Sequence, residues 1–240
     1  MKYMGSKNRI AKHILPLMLK DRKEGQYWVE PFVGGANMID KVDGNRIGAD
    51  FNDYLIEALK LIRDDVNSIP QVITESEYNS AKELRPLAGL VGFIGFAMSF
   101  GGKWFGGYRR DVAGSKGCID NMRTQTRRSR DSAIKQSKLI QGVDFVFSSY
   151  SELVIPPNSI IYCDPPYEGT TGYKDKFNHS EFWQWCRDKV KEGHTIFVSE
   201  YNAPDDFECI WEQEVKSSLS ANGVSGGSKK SIEKLFTIKF

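Results

Sequence analysis

The sequence predicts an α/β fold in which an open, mainly parallel sheet is flanked by helices and interrupted in its middle by a helical, basic insert. Three observations carry this. Short apolar runs alternate with amphipathic segments near the amino terminus and again after about residue 142. A glycine-rich turn directly follows the first apolar run. From about residue 67 to 141 the alternation stops and cationic residues accumulate. With 240 residues, 40% hydrophobic and 27% charged, the chain has enough apolar material for a core and need not stay disordered.

Taken in order, Lys7 to about Lys20 reads as a helix with Ser6 as its cap and Ile10, Ile14, Leu17 and Met18 on one face. Tyr27-Trp28-Val29-Glu30 is a short strand that runs into Pro31-Phe32-Val33-Gly34-Gly35, and Ala36 to Asp40 is expected to begin a second helix. Strand, glycine turn and helix open a nucleotide-binding α/β unit. A second strand, Arg46 to Ala49, ends in Asp50, and Asp53 to Asp64 follows as a helix with Leu55, Ile56, Leu59 and Ile62 inward. Taken alone, Asp50 reads as a cap for that helix. Pro86 to Gly102 is a run of 17 uncharged residues, too short for a bilayer and diluted by glycines; small residues at Gly89, Gly92 and Gly95 predict a closely packed buried helix. The alternation resumes with strands at Val143–Phe147 and Ser159–Cys163, a helix from His179 to Lys191 and a strand at Thr195–Ser199. Gly223, Gly226 and Gly227 ahead of Lys234–Phe240 predict a hairpin that closes the sheet.

The net charge of +2 conceals an asymmetry. Gly101 to Ile140 holds ten Lys/Arg against three Asp, so that segment carries +7 and the remainder −5. A surface that meets a polyanion has this footprint, because each neutralised phosphate releases condensed counterions. Cys118, Cys163, Cys186 and Cys209 are scattered with no C-x-x-C and no nearby histidine, which argues against a zinc site or a disulfide framework and for reduced thiols in a cytoplasm. Lys7, Arg9 and Lys12 fall where a secretion signal would have to be apolar. His13, His179 and His194 stand apart and read as surface or core residues, and Phe182, Trp183 and Trp185 as helix packing.

The strongest chemical signal is Asp164-Pro165-Pro166-Tyr167, placed directly after Ile160-Ile161-Tyr162-Cys163. Two prolines cannot continue a central strand, so the chain turns outward and presents Asp164 and Tyr167 at the strand's carboxyl end, where open α/β sheets bind ligands. A carboxylate and the Pro165 carbonyl can accept hydrogen bonds from an exocyclic amino group while Tyr167 offers a face to a planar base. An aromatic amine is a poor nucleophile because its lone pair is delocalised. Acceptors that strengthen as the nitrogen becomes tetrahedral favour the transition state of an attack on a methyl group. Ser199-Glu200-Tyr201-Asn202 follows another strand and is expected at the same edge as a pocket wall.

Four pieces in order, Tyr3-x-x-x-Lys7, Glu30-Pro31-Phe32-Val33-Gly34-Gly35, Ala49-Asp50-Phe51-Asn52 and Asp164-Pro165-Pro166-Tyr167, resemble the Dam-related (D12) class of DNA adenine-N6 methyltransferases. The likeness runs from Lys2-Tyr3-Met4-Gly5-Ser6-Lys7 to the Glu233-Lys234-Leu235-Phe236 ending. It implies a Rossmann-like, S-adenosylmethionine-dependent methyltransferase core at 1–66 and 142–240 and a target-recognition insert at 67–141. It implies double-stranded DNA as partner, with no metal and no membrane. It places Tyr3, Lys7, Glu30, Phe32, Gly34, Asp50, Asp144, Phe145 and Asp164 at the cofactor, and Asp164, Pro165 and Tyr167 at the reacting amine. Gly34-Gly35-Ala36-Asn37 departs from the more serine-like turn ending common in the family.

Phe100 to Arg110 also resembles the family at the start of its DNA-facing insert; aromatics interleaved with glycine and basic residues suit a surface that wedges into or stacks against a deformed duplex. Lys103, Arg109, Arg110, Arg123, Arg127, Arg128 and Arg130 are the candidate DNA contacts, most of them to phosphate. Cytosine-N4 methylation, RNA adenine methylation and DNA binding without turnover are the competing readings. The aspartate that opens the tetrapeptide and the order of the motifs favour adenine in DNA.

Overall fold

In the computed structural model, residues 1–110, 118–168, 177–216 and 230–239 are described, with side chains from residue 126 onward in the helix that begins at Cys118. Seven strands form one sheet: β1 (Trp28–Glu30), β2 (Arg46–Asp50), β3 (Val143–Phe147), β4 (Ile160–Cys163), β5 (Thr195–Glu200), β6 (Phe207–Lys216) and β7 (Lys230–Ile238). Their order is β3-β2-β1-β4-β5-β7-β6. The first five are parallel, and β7 enters antiparallel between β5 and β6. This is the Rossmann-like α/β architecture expected from the sequence; β6 and β7 pair antiparallel at the edge of the sheet, and Gly223, Gly226 and Gly227, on which the expected hairpin turn rested, lie outside the described residues. The order reverses between β1 and β4, which leaves a crevice outside their carboxyl ends.

β1 and β4 are buried along their whole length, as strands covered on both faces must be. One face carries α1 (Ala11–Leu19) and α2 (Asp53–Asp64), whose Ile14, Leu55, Ile56, Leu59 and Ile62 are fully buried with Trp28 and Tyr162. The other carries α6 (His179–Lys191), whose Phe182, Trp183 and Cys186 pack on Val29, Ile161 and Val198.

The structure differs from expectation at two places near the amino terminus. Ser6 caps only a 3-10 turn, Lys7–Arg9, by accepting from Asn8 N at 3.4 Å, and the α-helix proper starts at Ala11. The helix expected over Ala36–Asp40 is a single 3-10 turn at Ile39–Lys41. Gly34 and Ala36 have φ of 49° and 55°, and Gln136 Nε2 donates to the carbonyls of Gly35 and Ala36 at 3.0 Å each. The positive φ values take the chain out of the helical region, and a distant side chain holds the resulting turn.

Between β2 and β3 lie α2, α3 (Glu75–Leu84), α4 (Gly89–Ala97) and α5 (Cys118–Leu139). Thr74 and Glu77 form a capping box on α3. In α4 the glycines allow the close packing expected: a Cβ on Gly92 would lie 2.0 Å from the Tyr54 carbonyl oxygen of α2, and one on Gly89 2.6 Å from that of Glu57. α5 returns to the sheet, burying Ala133 in the same hydrophobic cluster as α2.

Candidate active site

A cavity of about 660 Å³ opens at the carboxyl ends of β1, β2 and β4. Each strand delivers a carboxylate to it: Glu30 from β1, Asp50 from β2 and Asp164 just past β4. Tyr3 to Lys7 of the amino-terminal segment also line it, and Glu233 of β7 reaches it beside Lys7. The four motif pieces, far apart in the chain, therefore meet around one space.

Asp50 shows how the glycine turn and the second strand cooperate. Its Oδ2 accepts from Gly34 N at 3.2 Å and its Oδ1 from Asn52 N at 3.1 Å. Helix capping falls instead to Asn52, whose Oδ1 accepts from Leu55 N at 3.0 Å, so the cap reading of Asp50 is corrected. Burial raises the Asp50 pKa to about 6 against these two donors. The turn tolerates no larger residue: a Cβ on Gly35 would stand 2.6 Å from Asn37 Nδ2 and 2.7 Å from Met1 O. Phe51, next in the chain, is 72% exposed at the cavity and stacks on Phe147 with centroids 5.8 Å apart.

At the tetrapeptide, Lys7 Nζ lies 3.2 Å from Asp164 Oδ1 and 3.2 Å from Glu233 Oε2. It also sits 4.4 Å above the centre of the Tyr167 ring. Burial would lower the Lys7 pKa, but Asp164 and Glu233 together raise it above the ordinary lysine value. Asp164 is pushed up to about 6, first by burial and also by Glu233, with Lys7 opposing. Tyr167 donates to Glu233 Oε2 at 2.8 Å and meets Tyr201 edge to face, centroids 4.6 Å apart. Burial carries its phenol well above the usual range, so it remains a neutral donor. Glu30, buried and accepting from Trp28 Nε1 at 2.8 Å, is also raised well above the ordinary carboxylate value by burial.

Glu200, expected only as pocket wall, holds backbone in place. Its two oxygens accept from Tyr201 N at 2.7 Å and Glu168 N at 3.1 Å, tying the exit of the tetrapeptide to β5. Burial lifts its pKa to about 7. Ser199 turns inward to Tyr162, 2.8 Å between their hydroxyls, and Tyr201 is the member of that quartet that lines the cavity.

Two residues assigned to the cofactor do not reach the cavity. Asp144 and Phe145 pair with Ile47 and Gly48, near the start of β3. Asp144 faces solvent, and Phe145 is buried in the core. The register puts the strand's carboxyl end at Phe147, so Ser148, Ser149 and Tyr150 line the cavity instead. Tyr150 stacks on Phe32 at 5.5 Å, which places Phe32 in the cavity wall as expected. Gly34, Tyr3 and Pro165 also line it.

The basic candidates divide. Lys103, Arg127 and Arg128 are exposed. Arg130 donates to Ile69 O at 2.8 Å, and Arg110 pairs with Glu75, so both are committed within the molecule. Arg109 is half-buried and close enough to Lys2 to help burial lower the Lys2 pKa. The side chain of Arg123 lies outside the described residues. In the glycine-rich stretch, Phe105 is buried, Trp104 packs on Tyr54 and Phe96, and the Tyr108 hydroxyl donates to Ile73 O at 2.6 Å. These three aromatics hold the loop on the core. Phe100 alone among them is presented to solvent, 69% exposed. Gly102 of this loop packs against the Tyr3 backbone, and its carbonyl accepts from Met4 N at 3.3 Å, joining the loop to the segment that lines the cavity.

Among the described residues no cluster of three or more His, Cys, Asp or Glu is arranged to hold a metal ion, and no helix is long and apolar enough to cross a membrane.

The resemblance to a family holds over part of the chain: residues 3–86 match the model of the D12 class N6 adenine-specific DNA methyltransferase family. The match spans Lys7, the glycine turn and Asp50, and ends before Asp164. No curated protein sequence matches the chain. Among solved structures, the rRNA methyltransferase aviRa from Streptomyces viridochromogenes aligns over 99% of this chain and 86% of its own, with 11% identity and a TM-score of 0.45. SMU.472, assigned as a methyltransferase and complexed with SAH, aligns over 97% of this chain and 52% of its own, with 9% identity and a TM-score of 0.35.

Proposed function

We propose that this protein transfers a methyl group from S-adenosylmethionine to the exocyclic N6 amino group of adenine in double-stranded DNA, after the base has left the helix. The observation that carries the reading is the convergence of Asp164, Lys7 and Tyr167 at the end of β4 with Asp50 and the glycine turn in one cavity. The matched family model supports it independently.

The residues fit the cofactor. Glu30, Asp50, Asp164 and Glu233 face the cavity, and among its described lining residues Lys7 is the one cation, a set suited to a ligand bearing a sulfonium. Asp50, anchored by two backbone donors, is fixed to accept from ribose hydroxyls, and exposed Phe51 offers a face to a purine. When bound, S-adenosylmethionine supplies an electrophilic methyl group.

The chain's own residues then act on the amine. Tyr167 stacks the extruded base, and Asp164 with the Pro165 carbonyl accepts the N6 hydrogens. As the N6 lone pair forms its bond to the methyl carbon, the electron pair of the broken carbon–sulfur bond would depart with the sulfur as S-adenosylhomocysteine. Positive charge grows on N6, and Asp164 stabilises it more strongly in the transition state than in the ground state. The surplus proton passes to Asp164 or solvent. Lys103, Arg127 and Arg128, with the Lys2 and Arg109 pair, contact phosphates, and the 67–141 segment bears the recognition surface.

The test is mass spectrometry of nucleosides from methyl-free duplex DNA incubated with the protein and S-adenosylmethionine. N6-methyladenine is the expected product. N4-methylcytosine would keep the chemistry at Asp164 and overturn the base, and an unmodified digest would overturn the DNA reading.

A further inference from the structure

The antiparallel strand β7 contributes a side chain to the site that the tetrapeptide alone does not foreshadow. Resting on the methyltransferase reading above, we infer that Glu233 is a positioning residue that sets the orientation of Tyr167 and keeps one oxygen of Asp164 available to the substrate amine, by sharing the Lys7 ammonium and holding the Tyr167 hydroxyl.

The geometry carries this in three steps. An ammonium has three donors, and Lys7 Nζ divides them between Asp164 Oδ1 and Glu233 Oε2 at equal distances of 3.2 Å. Without Glu233 the whole cation would fall to Asp164 and draw off the electron density that must meet the amine. The Tyr167 hydroxyl donates to the same Glu233 oxygen at 2.8 Å, while Lys7 sits over the ring at 4.4 Å and Tyr201 meets it edge-on. These contacts, together with a hydrogen bond from Tyr167 to Asp164 that also opposes the rise of the Asp164 pKa, fix a ring that must present one face to a base. Finally, Glu233 stands in β7 one residue from Lys234, which pairs in register with Glu200 of β5. The insertion of β7 between β5 and β6 is therefore what delivers this carboxylate to the cavity, and a parallel sheet ending at β5 would lack it.

The charges around Asp164 give the inference a signature that a merely structural role would not show. Asp164 is faced by Lys7 from the amino-terminal turn, Glu233 from β7, Glu30 from β1, Glu200 from β5, and Tyr162 and Tyr167 from β4 and the loop after it. Glu233 raises the Asp164 pKa and Lys7 lowers it. Removing the Glu233 charge must therefore move the acid limb of the pH profile downward, and removing Lys7 must move it upward.

The experiment measures kcat against pH for the parent, Glu233→Gln, Glu233→Asp and Lys7→Met, with carbon-13 carboxyl NMR titration of Asp164 in the same full-length proteins. Glu233→Gln should lower the plateau kcat roughly ten- to a hundredfold through the loosened Tyr167, with little change in KM for S-adenosylmethionine. Its acid limb and the Asp164 titration should both move to lower pH. Glu233→Asp keeps the charge and should leave the limb at its parental position while recovering part of kcat. An Asp164 titration that does not move in Glu233→Gln, whatever happens to activity, overturns the inference, as does an unchanged kcat. If the parent itself methylates no base, the methyltransferase reading fails, and the NMR titration still decides whether Glu233 governs Asp164.

Discussion

Gly92→Ala puts a methyl group where the structure has a backbone carbonyl. The added Cβ would lie 2.0 Å from Tyr54 O, 2.9 Å from its carbonyl carbon and 3.0 Å from Ala58 Cβ. Ordinary contact begins near 3.4 Å, so α2 and α4 must part by roughly 1.4 Å, and neither partner is a flexible side-chain end. Overpacking of this kind costs about 1–3 kcal/mol, at the upper end where backbone must move. Alanine recovers about 1 kcal/mol over glycine in a helix interior. The net is a loss of about 2 kcal/mol, which for a chain of this size lowers Tm by roughly 4–8 °C. The displaced helix is the one whose cap, Asn52, donates its backbone N–H to Asp50, so KM for S-adenosylmethionine should rise as well. Differential scanning calorimetry of the ligand-free protein checks the first effect, with Ser80→Ala on the exposed face of α3 as a control that leaves Tm unchanged or slightly raised. A Tm for Gly92→Ala equal to or above the parental value would refute the close-packing argument.

Asp164→Ala should abolish methyl transfer while leaving DNA affinity largely intact, because the carboxylate acts on the amine and not on phosphate; persistence of near-parental turnover in a radiolabelled methyl assay would rule out its assigned role. Replacing Arg127 and Arg128 together with glutamine should weaken DNA binding and reduce the slope of log K against log salt by roughly 2, one per phosphate contact; an unchanged slope returns both to a solvated surface. Asp50, Asp164 and Glu200 have folded-state pKa values raised by burial to about 6, about 6 and about 7 from 3.8, 3.8 and 4.5. Raised carboxylate values mean that the folded chain binds protons the unfolded chain releases. The three groups therefore oppose folding above pH 7, and that opposition is relieved as pH falls through 7 toward 5. The Tm of the ligand-free protein should rise over that window, and Asp50→Asn should flatten the rise; a Tm that falls steadily from pH 7 would show that these carboxylates are not buried as charges.

The parts of this protein that sequence alone determined are those whose cause is local. A continuous apolar run, Ile160 to Cys163, and the two prolines after Asp164 set where β4 stops, and so put Asp164 at a strand's carboxyl end. The glycine turn and the acid after β2 were readable for the same reason: each answers to a few neighbouring residues. The three glycines of α4 likewise announced a close contact, though not with which helix. Tertiary structure decided what depends on partners far along the chain. The helix expected at Ala36–Asp40 is absent because Gly34 and Ala36 take positive φ, outside the helical region, in a turn whose Gly35 and Ala36 carbonyls are bound by Gln136, a hundred residues away. Sheet register moved the cavity wall from Asp144 and Phe145 to Ser148 through Tyr150. Arg110 and Arg130 looked like Arg127 and Arg128 in a basic run until Glu75 and the Ile69 carbonyl claimed them. Glu233 entered the site only through the antiparallel insertion of β7 beside β5. Local pattern specifies which residues can stand at an edge, whereas the charge balance of a buried site belongs to whichever distant side chains the packed sheet brings within a hydrogen bond of one another.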